Sequence, residues 1–224
     1  MSQIVVEKKV LNENQKIALE LREKFRAHKI LVINIVSSPG SGKTTLLEQT
    51  LERMDKSKRV ALLTGDLQTE NDARRLAQWG FPVKQIITGG TCHLDAKMIE
   101  RHLADWPLEN IDVLIIENVG NLVCPTGYDL GEHFKIVMLS VTEGEDKPLK
   151  YPSIFVKSEL MILSKVDLLP YVPFDAEVAK SNARMVHPGI EIIETSNKGD
   201  GMEQWMKWLE EKLAAVKSGE LISI

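Results

Sequence analysis

One junction constrains this chain more than anything else in it. The apolar run Ile30–Val36 leads straight into Ser37-Ser38-Pro39-Gly40-Ser41-Gly42-Lys43-Thr44-Thr45, and helical patterning follows at once. A strand that turns tightly and opens a helix aims several backbone N–H groups at one spot, and the helix dipole adds to them, so the turn is an anion hole. Gly42, Lys43 and Thr44 match the phosphate-loop pattern G-x-x-x-x-G-K-[ST], with Ser37 where the first glycine would stand. Ser37 is compatible with the loop if its backbone angle is ordinary, and Gly40 adds freedom. In a loop of this kind Gly40, Ser41, Gly42 and Thr45 surround the phosphates. Lys43 reaches the β/γ-phosphates and the Thr44 hydroxyl binds Mg²⁺.

The rest of the chain supplies the sheet that such a junction needs. Strand-like runs follow at Val60–Thr64, Gln85–Thr88, Asp112–Glu117, Ile136–Val141, Leu160–Leu163 and Ile190–Glu194. Most are rich in Val, Ile and Leu without strict alternation, as strands buried on both faces read. Helical patterns lie at Thr44–Met54, Thr69–Gln78, Leu94–Ala104, Asp175–Met185 and Met202–Val216. The alternation predicts an α/β fold with a mostly parallel sheet and helices on both faces. A further amphipathic helix is expected over Asn12–His28, capped by Asn12 with Gln15 bonding back, and covering the core or serving as a docking arm. With no linker evident, residues 1–224 are expected to form one domain, 1–29 being an N-terminal helical arm.

Formal net charge is −4 and no Lys/Arg-rich block occurs, which gives no electrostatic support to a nucleic-acid partner. The first ten residues carry Glu7, Lys8 and Lys9 without an apolar segment, unlike a signal peptide. No apolar run approaches the ~18 residues that span a bilayer. The expectation is a cytoplasmic chain, away from membranes, with Cys92 and Cys124 as reduced thiols.

Two acids end predicted strands on the phosphate-loop edge. Asp66, in Thr64-Gly65-Asp66, is a candidate for Mg²⁺ binding or for orienting the attacking water. Glu117 ends Asp112–Glu117 and begins Glu117-Asn118-Val119-Gly120, a variant of the D-x-x-G switch whose Gly120 N–H can bond a γ-phosphate and release when it leaves. Lys43, Asp66 and Glu117 are the candidate catalytic residues, and Thr44, Asp66 and Glu117 the candidate Mg²⁺ ligands. Further on, Ser164-Lys165-Val166-Asp167 is a variant of the guanine motif N-K-x-D. Asp167 would accept the guanine N–H groups and the Lys165 stem would cover the ring. Ser164, shorter than Asn, is expected to lose a bond and lower affinity. Ser196-Asn197-Lys198 resembles a loop that contacts the base oxygen. Adenine is the runner-up base.

Thr91-Cys92-His93-Leu94 and Cys124-Pro125 both follow strands at this same rim. Two thiolates and an imidazole suit Ni²⁺, Zn²⁺ or Cu⁺. Three ligands leave a tetrahedral site open, so a second copy across the rim would complete it. Cys124 follows closely on Glu117, and a moving switch would carry it along. His28, His102, His133 and His187 read as surface or capping residues.

Taken together these segments resemble the hydrogenase nickel-incorporation GTPases, the HypB family. The resemblance rests on the phosphate loop, on Gly65-Asp66-Leu67-Gln68-Thr69-Glu70-Asn71-Asp72-Ala73, on Thr88-Gly89-Gly90-Thr91-Cys92-His93-Leu94-Asp95 and on Glu117–Pro125. It continues through Thr142–Pro152 and Lys165–Pro170. It implies a P-loop fold and slow, Mg²⁺-dependent GTP hydrolysis. It also implies a nucleotide-dependent homodimer and an interfacial Ni²⁺ or Zn²⁺ site of Cys92, His93 and Cys124. The implied partners are a small zinc-containing nickel accessory protein, docking on the Asn12–His28 helix, and the hydrogenase large subunit. The Cys-rich N-terminal nickel motif and His-rich tract of some members are not in this sequence. Urease-maturation GTPases are close relatives but carry a Cys-Pro-His motif. A small-molecule kinase and a non-catalytic assembly module are the readings outside this group.

Overall fold

The structure is a computed structural model that describes residues 3–66 and 71–220. Seven strands form one parallel sheet: β1 (Leu31–Ser37), β2 (Val60–Asp66), β3 (Val83–Ile87), β4 (Val113–Gly120), β5 (Phe134–Ser140), β6 (Leu160–Ser164) and β7 (Glu191–Thr195). Their order is β3-β2-β4-β1-β5-β6-β7. Every residue of β1, β5 and β6 is buried, which is why the sequence there is apolar without alternation.

The helices are α1 (Gln3–His28), α2 (Lys43–Arg53), α3 (Asn71–Ala77), α4 (Ala96–Leu103), α5 (Lys147–Lys150), α6 (Pro152–Val156), α7 (Ala176–Val186) and α8 (Met202–Ser218). Odd-numbered residues of β1 and β4, such as Ile33, Ile35, Val113 and Ile115, pack with Leu47 and Leu51 of α2 and Trp205 and Leu209 of α8. Even-numbered ones, Val32, Leu114 and Ile116, pack with Leu21 and Phe25 of α1 and Ile99 of α4. The β5–β6 half of that second face is covered by Ile154 and Phe155 of α6 and Ala179 and Ala183 of α7. Burying a Leu or Phe side chain in such a layer contributes about 1.5–3 kcal/mol each.

Several expectations need correction. Asn12 is not a cap: α1 begins at Gln3, and Asn12 lies in its interior. The Val-rich start lowers helix propensity, which conceals the first turns in the sequence. The helix expected from Thr69 is described only from Asn71, because Thr69 and Glu70, like Leu67 and Gln68 of the family motif, lie outside the described residues. The strand expected at Gln85–Thr88 is β3, two residues earlier. The short helices α5 and α6 have too few turns to show a period. No helix among the described residues is long and apolar enough to cross a membrane.

Candidate functional site

The carboxyl ends of β1, β2 and β4 open into a cleft of ≈ 570 Å³ lined by Gly40, Gly42, Lys43, Thr44, Thr45, Asp66, Glu117, Gly120, Lys165 and Asn197. The loop after β1 holds Gly40 at φ +74° and Gly42 at φ +97°, left-handed angles that favour glycine. Ser37 is not among the residues of positive φ, so its replacement of glycine carries no strain. Its hydroxyl accepts from Lys43 Nζ at 2.8 Å and donates to the Ser38 carbonyl. Gly42 stands before α2 without a side-chain cap, which leaves the first N–H groups of that helix open to an anion.

Burial lowers the Lys43 pKa, and the nearby Glu117 carboxylate opposes that shift. Glu117 is itself pushed up to about 7 by burial, with Lys43 and the Thr44 hydroxyl pulling the other way. Thr44 Oγ1 donates to Glu117 Oε1 at 2.8 Å, and Glu117 Oε2 is buried without a hydrogen-bond partner. A hydroxyl and a carboxylate with one unsatisfied oxygen form a donor set that suits Mg²⁺, a hard cation. Asp66 borders the cleft at the end of β2. A Cβ on Gly120 would meet Pro39 Cα at 2.9 Å, so only glycine lets β4 come this close to the phosphate loop.

The next loop along the rim carries the base motif. Lys165 adopts φ +61° and donates to the Gly40 carbonyl at 2.6 Å. The Ser164 hydroxyl donates to the Ser41 carbonyl at 2.7 Å, so the shorter side chain ties this loop to the phosphate loop. Asp167 Oδ1 is buried without a partner. Ser41, Ser164 and Ser196 line a small adjoining hollow with Asn197. Lys198 is exposed, its backbone N–H bonded to Ser196 Oγ.

Sequence reasoning missed Asp72 and Arg75, which α3 brings to the cleft. Arg75 is held by Glu48 of α2, which raises its pKa. One acid and two arginines on one short helix read as solvated charge, and the sequence offers no signal that one face meets the cleft.

Farther out on the rim, the ligand atoms of Cys92, His93 and Cys124 lie within 4.8 Å of one another. Both cysteines are free thiols. Metal–sulfur bonds of about 2.3 Å in a tetrahedral site need sulfurs about 4 Å apart, so the donors suit one soft or borderline ion. The His93 ring stacks on Tyr128 with centroids 3.8 Å apart, and burial lowers its pKa, favouring the neutral ligand form. The Cys92 sulfur beside Cys124, together with burial, pushes the Cys124 thiol up. Asn121 receives the Val123 and Cys124 N–H groups and directs its amide at the Cys124 sulfur.

Three other histidines bond backbone carbonyls: His28 to Lys24, His102 to Met98, and His187 to Phe155 and Ser158. His133 is not a surface or capping residue. It is half-buried, accepts from the Val32 N–H at 3.2 Å, and is pushed down to about 4 by burial with Arg22 and Arg26 nearby.

The parallel sheet, the glycine-bearing loop and the uncapped helix behind it define a P-loop nucleoside triphosphatase fold. Residues 31–194 match the CobW/HypB/UreG nucleotide-binding domain. The chain belongs to the HypB family of hydrogenase maturation factors. It is 54% identical to the hydrogenase maturation factor HypB of Escherichia coli K12, over 94% of this chain and 73% of that one. It is 41% identical to the hydrogenase/urease maturation factor HypB of Helicobacter pylori J99, over 93% and 88%. The solved structure of H. pylori HypB in complex with nickel superimposes with a TM-score of 0.85 at 42% identity, covering 90% of this chain and 95% of that one. HypB of Archaeoglobus fulgidus gives 0.85 at 40%, covering 90% and 99%. Signal recognition particle 54 kDa protein of Aeropyrum pernix, at 15% identity and a TM-score of 0.56 over 86% of this chain and 50% of that one, shares the fold alone.

Proposed function

We propose that this chain is a GTP-hydrolysing metallochaperone that gates delivery of nickel during hydrogenase maturation. Residues 1–224 would act as one nucleotide-binding domain with 1–29 as its helical arm, in the cytoplasm. The observation that carries the reading is the thiol–imidazole trio on the rim of the nucleotide cleft, with Cys124 on the segment that leaves β4 just beyond Glu117 and Gly120. A small-molecule kinase would have no use for it.

Guanine fits the unsatisfied Asp167 oxygen because its edge presents two N–H donors, whereas adenine presents a donor beside an acceptor. Lys43 and the first N–H groups of α2 would neutralise the phosphates. Thr44 and Glu117 would hold Mg²⁺ with Asp66 near, and that ion would supply charge neutralisation at the β/γ-phosphate oxygens. With Arg75 held by Glu48, unaided turnover should be slow, on the order of 10⁻⁴ to 10⁻² s⁻¹. Nickel is the cargo. The donors also accept zinc, and three of them leave an open position that a second copy would fill in a nucleotide-dependent homodimer. A small zinc-containing accessory protein docking on α1 and the hydrogenase large subunit are the proposed partners. The combined hydrogenase/urease name of the Helicobacter relatives favours a second, related destination, urease maturation.

The test is Ni²⁺ and Zn²⁺ binding by wild type and by Cys92→Ala/Cys124→Ala, each with GDP and with a non-hydrolysable GTP analogue. Affinity that depends on the nucleotide and vanishes in the variant supports the reading. Metal binding that ignores both nucleotide and substitution refutes it.

A further inference from the structure

Strand β4 is bulged where it passes between the two sites. Against β1, Ile35 pairs with Glu117 but Ser37 pairs with Gly120, so β4 spends one residue more than β1 over this stretch. A bulge of this kind re-aims side chains. Glu117 continues the Val113–Ile115 face toward α2 and bonds Thr44. Asn118 continues the Leu114–Ile116 face toward α4. A single peptide thus separates the acid of the nucleotide cleft from Asn118, which also borders the cleft but whose side-chain oxygen bonds the Leu94 N–H beside the thiol site.

Asn118 is 1% exposed and both the oxygen and the nitrogen of its amide are hydrogen-bonded. Oδ1 accepts from the Leu94 N–H at 3.2 Å, one residue beyond His93, and from its own neighbour Val119 at 2.9 Å. Nδ2 donates to Asn34 Oδ1 at 3.2 Å. From Asn34 the bonds continue to Glu132 Oε1 at 3.0 Å, then to Lys135, whose Nζ donates to the carbonyls of Pro125 and Tyr128. Pro125 follows Cys124, and Tyr128 carries the ring stacked on His93. Both ends of this buried chain therefore finish on the thiol site. Apolar residues would hold the sheet together as well, so a buried, continuously bonded polar chain here serves geometry more than stability.

A second carboxamide bridges the same two segments from outside. Asn14 of α1 accepts from the Ala96 N–H at 2.8 Å and donates to the Asp129 carbonyl at 2.9 Å. It has no bond to β4.

We infer that Asn118 is the positioning residue through which nucleotide state reaches the thiol site, and that Asn14 sets the spacing of that site without regard to nucleotide. The inference rests on the metallochaperone reading above. A change at the Glu117 carboxylate on nucleotide exchange displaces the next peptide, and the Leu94 amide follows with the Cys92–His93 loop.

Ni²⁺ titrations of the full chain, followed by sulfur-to-nickel charge-transfer absorption, test this with GDP and with a non-hydrolysable GTP analogue. Asn118→Ala should weaken nickel binding by about 10–100-fold and remove the affinity difference between the two nucleotides, with a much smaller loss of GTP-analogue binding. Asn118→Ser, too short to reach the Leu94 amide, serves where Asn118→Ala does not fold and carries the same expectation. Asn118→Asp keeps an oxygen opposite that amide but sets a buried acceptor against Asn34 Oδ1, and should recover affinity and difference only in part. Asn14→Ala should weaken nickel equally in both nucleotide states. An Asn118→Ala protein with the wild-type difference, or an Asn14→Ala protein that loses it, overturns the inference while leaving the metallochaperone reading intact. A wild type with no nucleotide dependence, or one whose nickel binding survives Cys92→Ala, overturns both.

Discussion

The phosphate loop and the thiol site share one rim and are assembled differently. In the phosphate loop, consecutive residues from Ser37 to Thr45 do the work with backbone N–H groups, and side chains such as Ser37 and Ser41 bond within the loop or to its neighbours. In the thiol site, Cys92 and His93 come from the segment after β3 and Cys124 from the segment after β4, and the bonds that align them come from Asn14, Asn118, Asn121 and Lys135. Local backbone geometry makes the first robust to a substitution such as Gly to Ser at position 37. Long-range side-chain bonds make the second sensitive to changes well away from its ligands.

The sharpest way to break this comparison is to remove one group from each region and ask whether the other notices. Lys43→Ala should lower GTP turnover by at least about 10²–10³-fold in a single-turnover assay, with nickel still bound in the presence of GDP. Cys92→Ala should lower nickel affinity by about 10²-fold or more in an equilibrium titration, with GTP turnover of the isolated chain within about twofold of wild type. If either variant lost both activities in folded protein, the two regions would be one site rather than two coupled ones.

Acid should separate their supports. The folded chain keeps His133 neutral down to about 4, whereas the unfolded chain takes up that proton near 6.5. The unfolded state binds more protons in this window, so stability present above 6.5 falls as pH drops toward 4, by at most about 3 kcal/mol from this residue. Glu117, raised to about 7, works the other way over the same window, so the readout is the comparison of wild type with His133→Asn, which keeps an acceptor for Val32. In urea melts the variant should lose less stability, or gain more, from pH 7 to pH 5. An unchanged pH dependence in that variant would assign the loss to other groups.

The smallest effect is expected at the base loop. Ser164→Ala removes the bond to the Ser41 carbonyl and should weaken GDP by about fivefold, near 1 kcal/mol, measured by calorimetry. No change would mean that Lys165, which also bonds the phosphate loop through Gly40, suffices to hold the base loop in place.

The inner strands were legible because burial on both faces writes itself as Val/Ile/Leu runs, the partly buried edge strands β3 and β7 only as short apolar runs among polar residues, and the phosphate loop because its geometry depends on neighbours in sequence. Cys92, His93 and Cys124 were legible as chemistry, since few residue types bind soft metals, and their placement after strands of a parallel sheet implied a common rim. Arg75, Asp72 and Asn14 were not, because a polar residue on a helix looks the same whether it faces water or a cleft.

What the sequence determined by itself is thus the set of local conformations and the order in which they alternate, which limits the sheet to one type and its ligands to one edge. The tertiary structure decided the rest: that β4 bulges, that Glu117 and Asn118 face opposite ways across it, and that the chain from Asn34 to Lys135 closes under the thiols. The physical reason is distance. Hydrogen bonds between residues a hundred positions apart exist only once the sheet has brought them together, and no local pattern encodes them.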